Sequence, residues 1–467
     1  MFQRHRCRRQ SIHNSSKSTS KASKKGSAMH SGKKIIGIIA AASAALLSLA
    51  GCGNTNNSSS SAQVDTKTPV NLTVWTGNTT PTKAAAAIFE KKYPNVKIKV
   101  ETVTDAYRAL DTAIQAGSGI PDVMEFEYLT VPYFAIQNKL VDLSTLGANN
   151  DKGTFVKGAW QDISFNNKPY AIPMDYGPSV MFYNKAILEK AGVSKVPETW
   201  EEYYQAAKKV KALGDKYYIT NDASDIFTLL SLVWQAGGHP FKVNGTTAHI
   251  NVKDPKMQEA VSYYQKMIQE GLIATNIKTW SDDWNRALND GTIATQIIGG
   301  WFTSSIKDRA PKQAGNFRVA PMPQWKAGEQ LSAENGGSGF AIPAKAKNHQ
   351  WAWKFLHFLA YDKEGVKARV DAGVFPPNVS VLKNNEFLSS TDPYFGDQKY
   401  REPIADSAQK VGEGWQYLPF MEKVRDLYGD NMDYAKVAKG ESLQTQLENW
   451  AKLCIDYGNK QGFTVSK

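Results

Sequence analysis

The sequence has few of the residues on which catalytic and metal centres depend. Of its 467 residues only three are cysteine and seven are histidine, and all are scattered. Because the cysteines are so few and so far apart in the sequence, we expect no intrachain disulfide and no Cys-based metal site. The phosphate-binding loop, the zinc-protease helix motif and the nucleophile elbow of hydrolases are also missing from the sequence. We therefore expect no cofactor, no metal and no recognisable catalytic machinery.

Acidic residues are absent from the N-terminus. The first 51 residues contain ten Lys and Arg but no Asp or Glu. The remaining 416 residues carry 46 basic and 44 acidic side chains, so the net charge of +12 belongs almost entirely to the N-terminus. Because nucleic-acid binding needs a basic face that contacts phosphates, we expect no nucleic-acid partner.

The N-terminus has the pattern of a lipoprotein signal peptide. A basic flank precedes an apolar run at 35–48, which ends in Leu49-Ala50-Gly51-Cys52. This order predicts a signal peptide over residues 1–51, with Met29 as an alternative start of translation, and lipidation of Cys52. A signal-anchor helix is the alternative, but the run is shorter than the roughly 20 residues that span a bilayer. The protein is thus expected on the extracellular face of the cell membrane, held there by a lipid.

The rest of the sequence predicts a tether followed by an α/β protein. Residues 52–69 are rich in Ser and Asn and predict a flexible tether. Strands predicted at 70–75, 96–100 and 122–126 alternate with helices, an order typical of a parallel sheet covered on both faces. The length after the signal peptide exceeds one ordinary domain and favours two lobes.

Aromatic residues beside glycines and polar side chains are the positive functional signal. The chain has 12 Trp and 20 Tyr. A sugar site pairs flat aromatic rings, which contact the C–H face, with side chains that bond the hydroxyls. Trp301 follows Gly299 and Gly300 at the end of a predicted strand and fits such a site, although a tryptophan packed at the sheet end is the alternative. Trp75 with Asn78 and Trp415 have similar settings, whereas Trp234 fits a helix face.

The order of several short motifs resembles that of the extracellular solute-binding proteins of carbohydrate ABC importers, the maltose-binding-protein-like family. The resemblance covers about residue 70 to the C-terminus. It is carried by the lipobox and by these segments: Phe89-Glu90-Lys91-Lys92-Tyr93-Pro94, Gly119-Ile120-Pro121-Asp122-Val123, Tyr170-Ala171-Ile172-Pro173, Phe182-Tyr183-Asn184-Lys185, Pro197-Glu198-Thr199-Trp200-Glu201-Glu202, Ile298-Gly299-Gly300-Trp301 and Gly337-Ser338-Gly339.

This resemblance implies a two-lobed α/β clamp like a periplasmic binding protein, with three hinge crossings and a ligand cleft between the lobes. The crossings would lie near 174–178, 334–338 and 373–378. The first lobe would comprise 70–174 with 337–374, and the second lobe 175–336 with 375–467.

The resemblance also implies candidate ligand contacts. Asp175 stands near the position of a ligand-binding acid, Phe126 would replace a cleft-facing Trp, and Trp301 matches the family's stacking tryptophan. The full set of candidates is Trp75, Asn78, Phe126, Glu127, Asp175, Gly300, Trp301, Ser338 and Trp415.

Two classes of function remain open from the sequence. The first is a monomeric receptor that captures a sugar, expected to be an oligosaccharide, and delivers it to an ABC import permease. The second is a cell-surface glycoside hydrolase, since paired carboxylates cannot be recognised from sequence alone. Within the binding class, a receptor for a polyamine or an organic anion is a further alternative.

Overall fold

The computed structural model describes residues 65–467. The predicted signal peptide, the lipidation site Cys52 and most of the tether lie outside these residues. From residue 65 onward, no helix combines the length and apolar character that crossing a membrane requires.

The strands of this part of the chain are short and spread over its length. They are β1 (Val70–Trp75), β2 (Val96–Glu101), β3 (Val123–Glu127), β4 (Ser164–Phe165), β5 (Lys168–Pro169), β6 (Ile172–Pro173), β7 (Ser179–Asn184), β8 (Thr220–Asn221), β9 (Phe241–Asn244), β10 (Thr247–Ile250), β11 (Ile273–Ala274), β12 (Thr295–Gly299), β13 (Phe317–Pro321), β14 (Ser338–Ala341) and β15 (Thr464–Ser466).

The helices outnumber the strands between residues 65 and 467. They are α1 (Thr79–Lys92), α2 (Ala106–Ala116), α3 (Val131–Ile136), α4 (Lys157–Asp162), α5 (Lys185–Lys190), α6 (Trp200–Lys211), α7 (Ile226–Gln235), α8 (Pro255–Gln269), α9 (Asp282–Asn289), α10 (Phe302–Arg309), α11 (His349–Ala360), α12 (Lys363–Asp371), α13 (Val379–Leu382), α14 (Asn385–Leu388), α15 (Arg401–Ala408), α16 (Met421–Asn431), α17 (Tyr434–Val437) and α18 (Leu443–Lys460).

A five-stranded sheet in the order β2-β1-β3-β14-β6 organises the first lobe. Strands β1, β2 and β3 are parallel, as the alternation of strands and helices predicted, whereas β14 is antiparallel to both β3 and β6. Buried apolar residues such as Leu72, Phe89 and Phe355 join the sheet to α1 and α11 in one core.

The second lobe is built around an antiparallel sheet in the order β12-β7-β13. Its helices begin at residues typical of helix N-caps. Thr199 and Glu202 form a capping box at α6, and Asp254 caps α8 through the backbone N–H groups of Lys256 and Met257. Burial of the apolar faces of such helices against the sheet supplies most of their stability.

Three connections pass between the two lobes and lie side by side. Segment 174–178 links β6 to β7, segment 334–337 precedes β14, and segment 373–378 follows α12. They are hydrogen-bonded to one another, for example from the Asn335 N–H to the Gly177 carbonyl (2.8 Å) and from the Tyr176 N–H to the Phe375 carbonyl (3.1 Å). A hinge of this kind lets two rigid lobes rotate about a few residues.

Candidate functional site

A cavity of about 250 Å³ lies between the two lobes, next to the hinge. The first lobe contributes the end of β3 and the turn that follows it, and the second lobe contributes residues of β8, α7, β12 and α16 together with Trp301, the residue before α10. The lining residues are Glu127, Tyr128, Leu129, Thr220, Asn221, Asp225, Phe227, Thr228, Thr279, Trp280, Gln296, Ile297, Ile298, Trp301, Asn335, Gly336, Gly337, Tyr417 and Arg425. We call this space the Trp301 cavity.

Two stacked tryptophans form one wall of the Trp301 cavity. The rings of Trp301 and Trp280 have centroids 5.8 Å apart and planes inclined by 23°. Trp301 stands at the start of α10, and its Nε1 donates to the Asn335 carbonyl on the hinge (2.7 Å). Trp280 is 47% exposed, and the Arg309 guanidinium lies 4.5 Å from its ring centroid. The pair presents a broad aromatic surface to a ligand.

Glycines make room for this wall. A Cβ at Gly299 would overlap the Trp301 indole nitrogen, and one at Gly336 would lie 3.2 Å from the same atom. Gly300, a predicted ligand contact, is buried and faces Ile404 of α15, where a Cβ would overlap the isoleucine. Its role in the structure is close packing of α15 rather than contact with the cavity.

Amide and carboxylate groups of the second lobe also line the cavity. The Gln296 Nε2 donates to Asn221 Oδ1 (2.8 Å), and the Asn221 Nδ2 donates to the Ile277 carbonyl (2.9 Å), which fixes both side chains. Asp225 caps α7 by accepting a bond from the Phe227 N–H (3.0 Å). Burial raises the pKa of Asp225, although the bond from the Phe227 N–H and the positive charge of Arg425 both act to lower it. These fixed groups can donate to and accept from ligand hydroxyls.

Glu127 connects the lobes at the cavity. Its carboxylate lies 3.6 Å from the Arg425 guanidinium of α16, and both side chains are partly exposed. Helix α16 also packs against Tyr128–Thr130 of the first lobe. The predicted contact Glu127 is therefore at the cavity, beside a cation that the sequence did not indicate.

Asp175 and Ser338 lie on the hinge, in a cluster adjoining the Trp301 cavity but not lining it. The Ser338 Oγ is 2.8 Å from both Asp175 Oδ1 and Glu125 Oε1. Burial and the nearby Glu125 charge raise the pKa of Asp175 to about 6, against hydrogen bonds from Ser338 and the charge of Arg369. Because a hydroxyl has one proton to donate, the Ser338 Oγ can donate to only one of these two carboxyl groups at a time.

Glu125 is a member of this cluster that the sequence reasoning missed. It accepts bonds from the Gly77 N–H (2.8 Å), from the Asn78 carboxamide (3.3 Å) and from the Thr76 hydroxyl. The predicted residue Asn78 thus holds Glu125 at the end of β1, while Trp75 is half-buried against the core. Neither of the two lines the Trp301 cavity.

The prediction that Phe126 faces the cleft is wrong. Its side chain is fully buried, with ring centroids 5.7 Å from Tyr107 and 5.0 Å from Phe134. Successive residues of a strand point to opposite faces, so the core position of Phe126 is what directs Glu125 and Glu127 away from the core.

Trp415 also lies outside the Trp301 cavity. Its ring stacks on Trp234 with centroids 4.6 Å apart and planes inclined by 3°, and it lines a separate groove. Trp280 and Asp225 do line the Trp301 cavity but were not predicted, because segments far apart in the sequence bring them together there. The sequence did contain one signal for Trp280, which is its position directly before Ser281, a residue that caps a helix.

Among residues 65–467, no three His, Cys, Asp or Glu side chains gather around a potential metal position. The arrangement suits recognition of a polar, ring-shaped molecule by stacking and hydrogen bonding.

Two lobes, a hinge and an aromatic cavity between the lobes define a clamp that closes around a solute. The model of the family described as "Bacterial extracellular solute-binding protein" matches residues 75–365. The chain belongs to this family.

Relatives of known name agree with this assignment. The arabinooligosaccharide-binding protein of Bacillus subtilis (strain 168) is 29% identical over 333 residues, which cover 69% of this chain and 75% of that protein. The ABC transporter associated binding protein from B. animalis subsp. lactis Bl-04, solved in complex with β-1,6-galactobiose, is 37% identical. That comparison covers 85% of this chain and 99% of the solved chain, with a TM-score of 0.75.

A third relative is similar in fold. The galacto-N-biose-/lacto-N-biose I-binding protein of the ABC transporter from Bifidobacterium longum is 22% identical, with a TM-score of 0.72 over 85% of this chain and 99% of the solved chain.

Proposed function

We propose that the protein captures a neutral sugar of a few rings in the Trp301 cavity and delivers it to an ABC import permease. The observation that carries this proposal is the stacked pair Trp301 and Trp280, which lines the cavity together with fixed amide and carboxylate groups. The rings would cover the C–H face of a sugar, and the polar groups would bond its hydroxyls.

The size of the cavity favours a short ligand. Its volume of about 250 Å³ lies just below the range of typical small-molecule sites, about 300–1,000 Å³. The ligands named for the relatives, β-1,6-galactobiose and arabino-oligosaccharides, provide the first sugars to test.

The mechanism we propose is closure of the two lobes. Tyr128 and Glu127 belong to the first lobe and Trp301 to the second, so a ligand that contacts both lobes stabilises their closed arrangement. The permease would then recognise the closed form. The lobe boundaries given above and the monomeric state are part of this proposal.

We propose binding without catalysis. Of the acids at the cavity, Glu127 is beside Arg425 and Asp225 caps α7, so each is engaged in a structural contact. A glycoside hydrolase would need a protonated acid and a second carboxyl group about 5–9.5 Å away across the scissile bond.

The test is calorimetric titration of the full chain with β-1,6-galactobiose, arabino-oligosaccharides and lacto-N-biose, followed by chromatography of the recovered sugar. We expect saturable binding of one of them and unchanged sugar. Cleaved sugar would support the hydrolase instead. A steep loss of affinity with added salt would indicate a charged ligand, because a neutral sugar interacts little with salt.

Lipid anchoring at Cys52 is part of the proposal and has its own test. We expect Cys52→Ala to abolish incorporation of labelled palmitate and to release the protein from membranes, because acylation supplies the anchor. Labelled palmitate in the Cys52→Ala chain would contradict this assignment, and the Cys454→Ala chain is the matched control.

A further inference from the structure

The turn between β8 and α7 carries two residues of the Trp301 cavity. Asn221, the last residue of β8, and Asp225, which caps α7, both line the cavity. Asp222 lies between them in the sequence, but it is fully buried and does not line the cavity. Its backbone N–H donates to the Ala274 carbonyl (3.1 Å), which joins the start of the turn to β11. Because aspartate is seldom fully buried without a partner, the position of this acid needs a physical explanation.

The Asp222 carboxyl group connects this turn to α8. Its Oδ1 accepts a hydrogen bond from the Asp225 N–H (2.7 Å), and its Oδ2 lies 2.6 Å from the Tyr264 hydroxyl oxygen. Tyr264 is buried on α8, so packing fixes the position of its hydroxyl. The Asp222 side chain is therefore held by a core helix, and it in turn holds the backbone of Asp225.

The backbone of the turn is strained. Ser224 has a φ of 67°, in the left-handed region, which a residue with a Cβ adopts at a cost in free energy. The Ser224 Oγ donates to the Met432 carbonyl (3.0 Å), and the bond from the Asp225 N–H to Asp222 closes the turn. A strained turn persists only where the surrounding contacts determine its shape. Loss of the Asp222 carboxyl group would therefore let the turn relax and move Asp225.

The position of Asp225 matters because one of its carboxylate oxygens is free. Its Oδ1 accepts from the Phe227 N–H (3.0 Å), whereas its Oδ2 accepts no hydrogen bond from residues 65–467. Asp225 is partly exposed and lines the Trp301 cavity, so this oxygen can accept from a ligand hydroxyl. Hydrogen bonds to a carboxylate are short and directional, and a small displacement of Asp225 would break such a bond.

We infer that Asp222 is a positioning residue for ligand binding, whose carboxyl group holds the strained turn so that Asp225 presents its free oxygen to the ligand. Asp222 itself does not touch the ligand. The inference rests on the proposed function, and it adds to that function the buried group that keeps one wall of the Trp301 cavity in place.

Asparagine is the conservative replacement for Asp222. Burial and the nearby Asp225 charge raise the pKa of Asp222 to about 8, although hydrogen bonds from Tyr264, Asp225 and Ser224 act to lower it. The carboxyl group is thus mostly protonated at neutral pH. Asparagine has the same shape as the protonated acid, and it can accept from the Asp225 N–H and donate to the Tyr264 oxygen. Alanine can do neither.

Calorimetric titration of the full chain with β-1,6-galactobiose and arabino-oligosaccharides at neutral pH tests this role. We expect Asp222→Ala to weaken binding about tenfold, because it removes both contacts of the carboxyl group. Tyr264→Phe removes one of the two contacts and should weaken binding about threefold. Asp222→Asn keeps both contacts and should bind about as tightly as the unmodified chain.

A double-mutant cycle separates positioning of Asp225 from a general loss of structure. The Asp225→Ala chain lacks the free oxygen, so adding Asp222→Ala to it should weaken binding by less than about twofold. A purely structural role of Asp222 would instead give the same loss with and without the Asp225 side chain. Tyr264→Phe provides the same cycle if Asp222→Ala does not fold.

Tyr434→Phe is the matched control for Tyr264→Phe. Tyr434 is also buried, its ring centroid is 6.1 Å from that of Tyr264, and its hydroxyl oxygen lies 2.6 Å from that of Tyr428. The substitution removes a buried tyrosine hydroxyl that neither bonds Asp222 nor lines the Trp301 cavity. We expect the melting temperature to fall in this control and the affinity to stay unchanged.

Three results would overturn the positioning role alone while the unmodified chain still binds sugar. The first is full affinity in Asp222→Ala, the second is equal weakening by Asp222→Asn and Asp222→Ala, and the third is the same loss in both Asp225 backgrounds. Failure of the unmodified chain to bind any of these sugars would overturn the proposed function, and the positioning role together with it.

Discussion

At the scale of single residues, Trp280 has an unusual backbone. Its φ of 71° lies in the left-handed region, which a bulky side chain adopts at a cost of about 1–3 kcal/mol. Stacking on Trp301 and the cation of Arg309 offset that cost. Strained backbone conformations of this kind are concentrated at ligand-binding sites, and here the conformation of Trp280 directs its exposed indole to the Trp301 cavity.

Trp301→Ala should weaken sugar binding by about 1–3 kcal/mol, because buried aromatic anchors lose that much when truncated. We expect the fold to persist, since the ring lines the Trp301 cavity and is only partly buried where it packs against the core. Calorimetric titration and thermal melts measure both effects. Full affinity in Trp301→Ala would exclude the residue from the site, and a collapsed melting temperature would restore a purely structural role.

The residue scale is also where sequence reasoning was least complete. Trp301 was predicted, because its glycines and its position after a strand are visible in the sequence. Phe126 was misplaced because the burial of one strand face cannot be read from Glu125-Phe126-Glu127 alone. Trp280, Asp225 and Arg425 come from separate loops and helices, so only tertiary structure brings them together.

At the scale of secondary-structure elements, glycine positions decide how closely α10 approaches the hinge. Gly299→Ala should weaken sugar binding by about 1–3 kcal/mol and lower stability by a similar amount, because the new Cβ displaces the Trp301 indole. Calorimetry and melts of the variant measure this.

Gly429→Ala is the control for that change. Gly429 is an exposed residue of α16 with no atom within 4 Å of an added Cβ. Alanine there should stabilise the helix by about 0.5–1 kcal/mol and leave binding unchanged. Equal effects of the two substitutions on affinity would contradict the packing argument.

The hinge also contains buried acids whose protonation sets a pH dependence. Asp162 of α4 and Glu334 of the second crossing are both buried, close to the Tyr176 hydroxyl. Burial raises the pKa of Asp162 to about 7, and burial together with the Asp162 charge raises the pKa of Glu334. In the unfolded chain both groups titrate near pH 4.

The folded protein therefore holds protons that the unfolded chain has already released, and the free energy of unfolding should fall as the pH rises from about 4 to about 7. Glu334→Gln should flatten this dependence, because it removes one of the two groups that hold a proton in the folded protein. Melts at several pH values measure it, with Glu413→Gln as a surface control. An unchanged pH slope in Glu334→Gln would show that the pair is not responsible.

Much of the element order was predictable. Strand alternation, the Asn166-Asn167 turn with both φ values positive, and the caps of α6 and α8 are local signals, and each appears in the structure. The antiparallel pairing of β14 with β3 was not predictable, because the long segment 175–336 of the second lobe separates those strands in the sequence.

At the scale of the whole molecule, the three hinge connections and the shared cavity predict a change of shape. Saturating sugar should lower the radius of gyration, because a ligand held by both lobes favours their closed arrangement. Small-angle scattering of the full chain with and without the bound sugar measures this, and Trp301→Ala at the same sugar concentration is the control. A constant radius of gyration with the site filled would argue against closure.

Cys454 has a practical consequence for such measurements. It is buried in α18, with its pKa raised by burial, and it is the single cysteine among residues 65–467. Because thiolates rather than thiols react with maleimides and spin labels, we expect Cys454 not to react with these reagents. One new surface cysteine on each lobe would then accept a pair of probes, and the distance between them would report the movement of the lobes in real time.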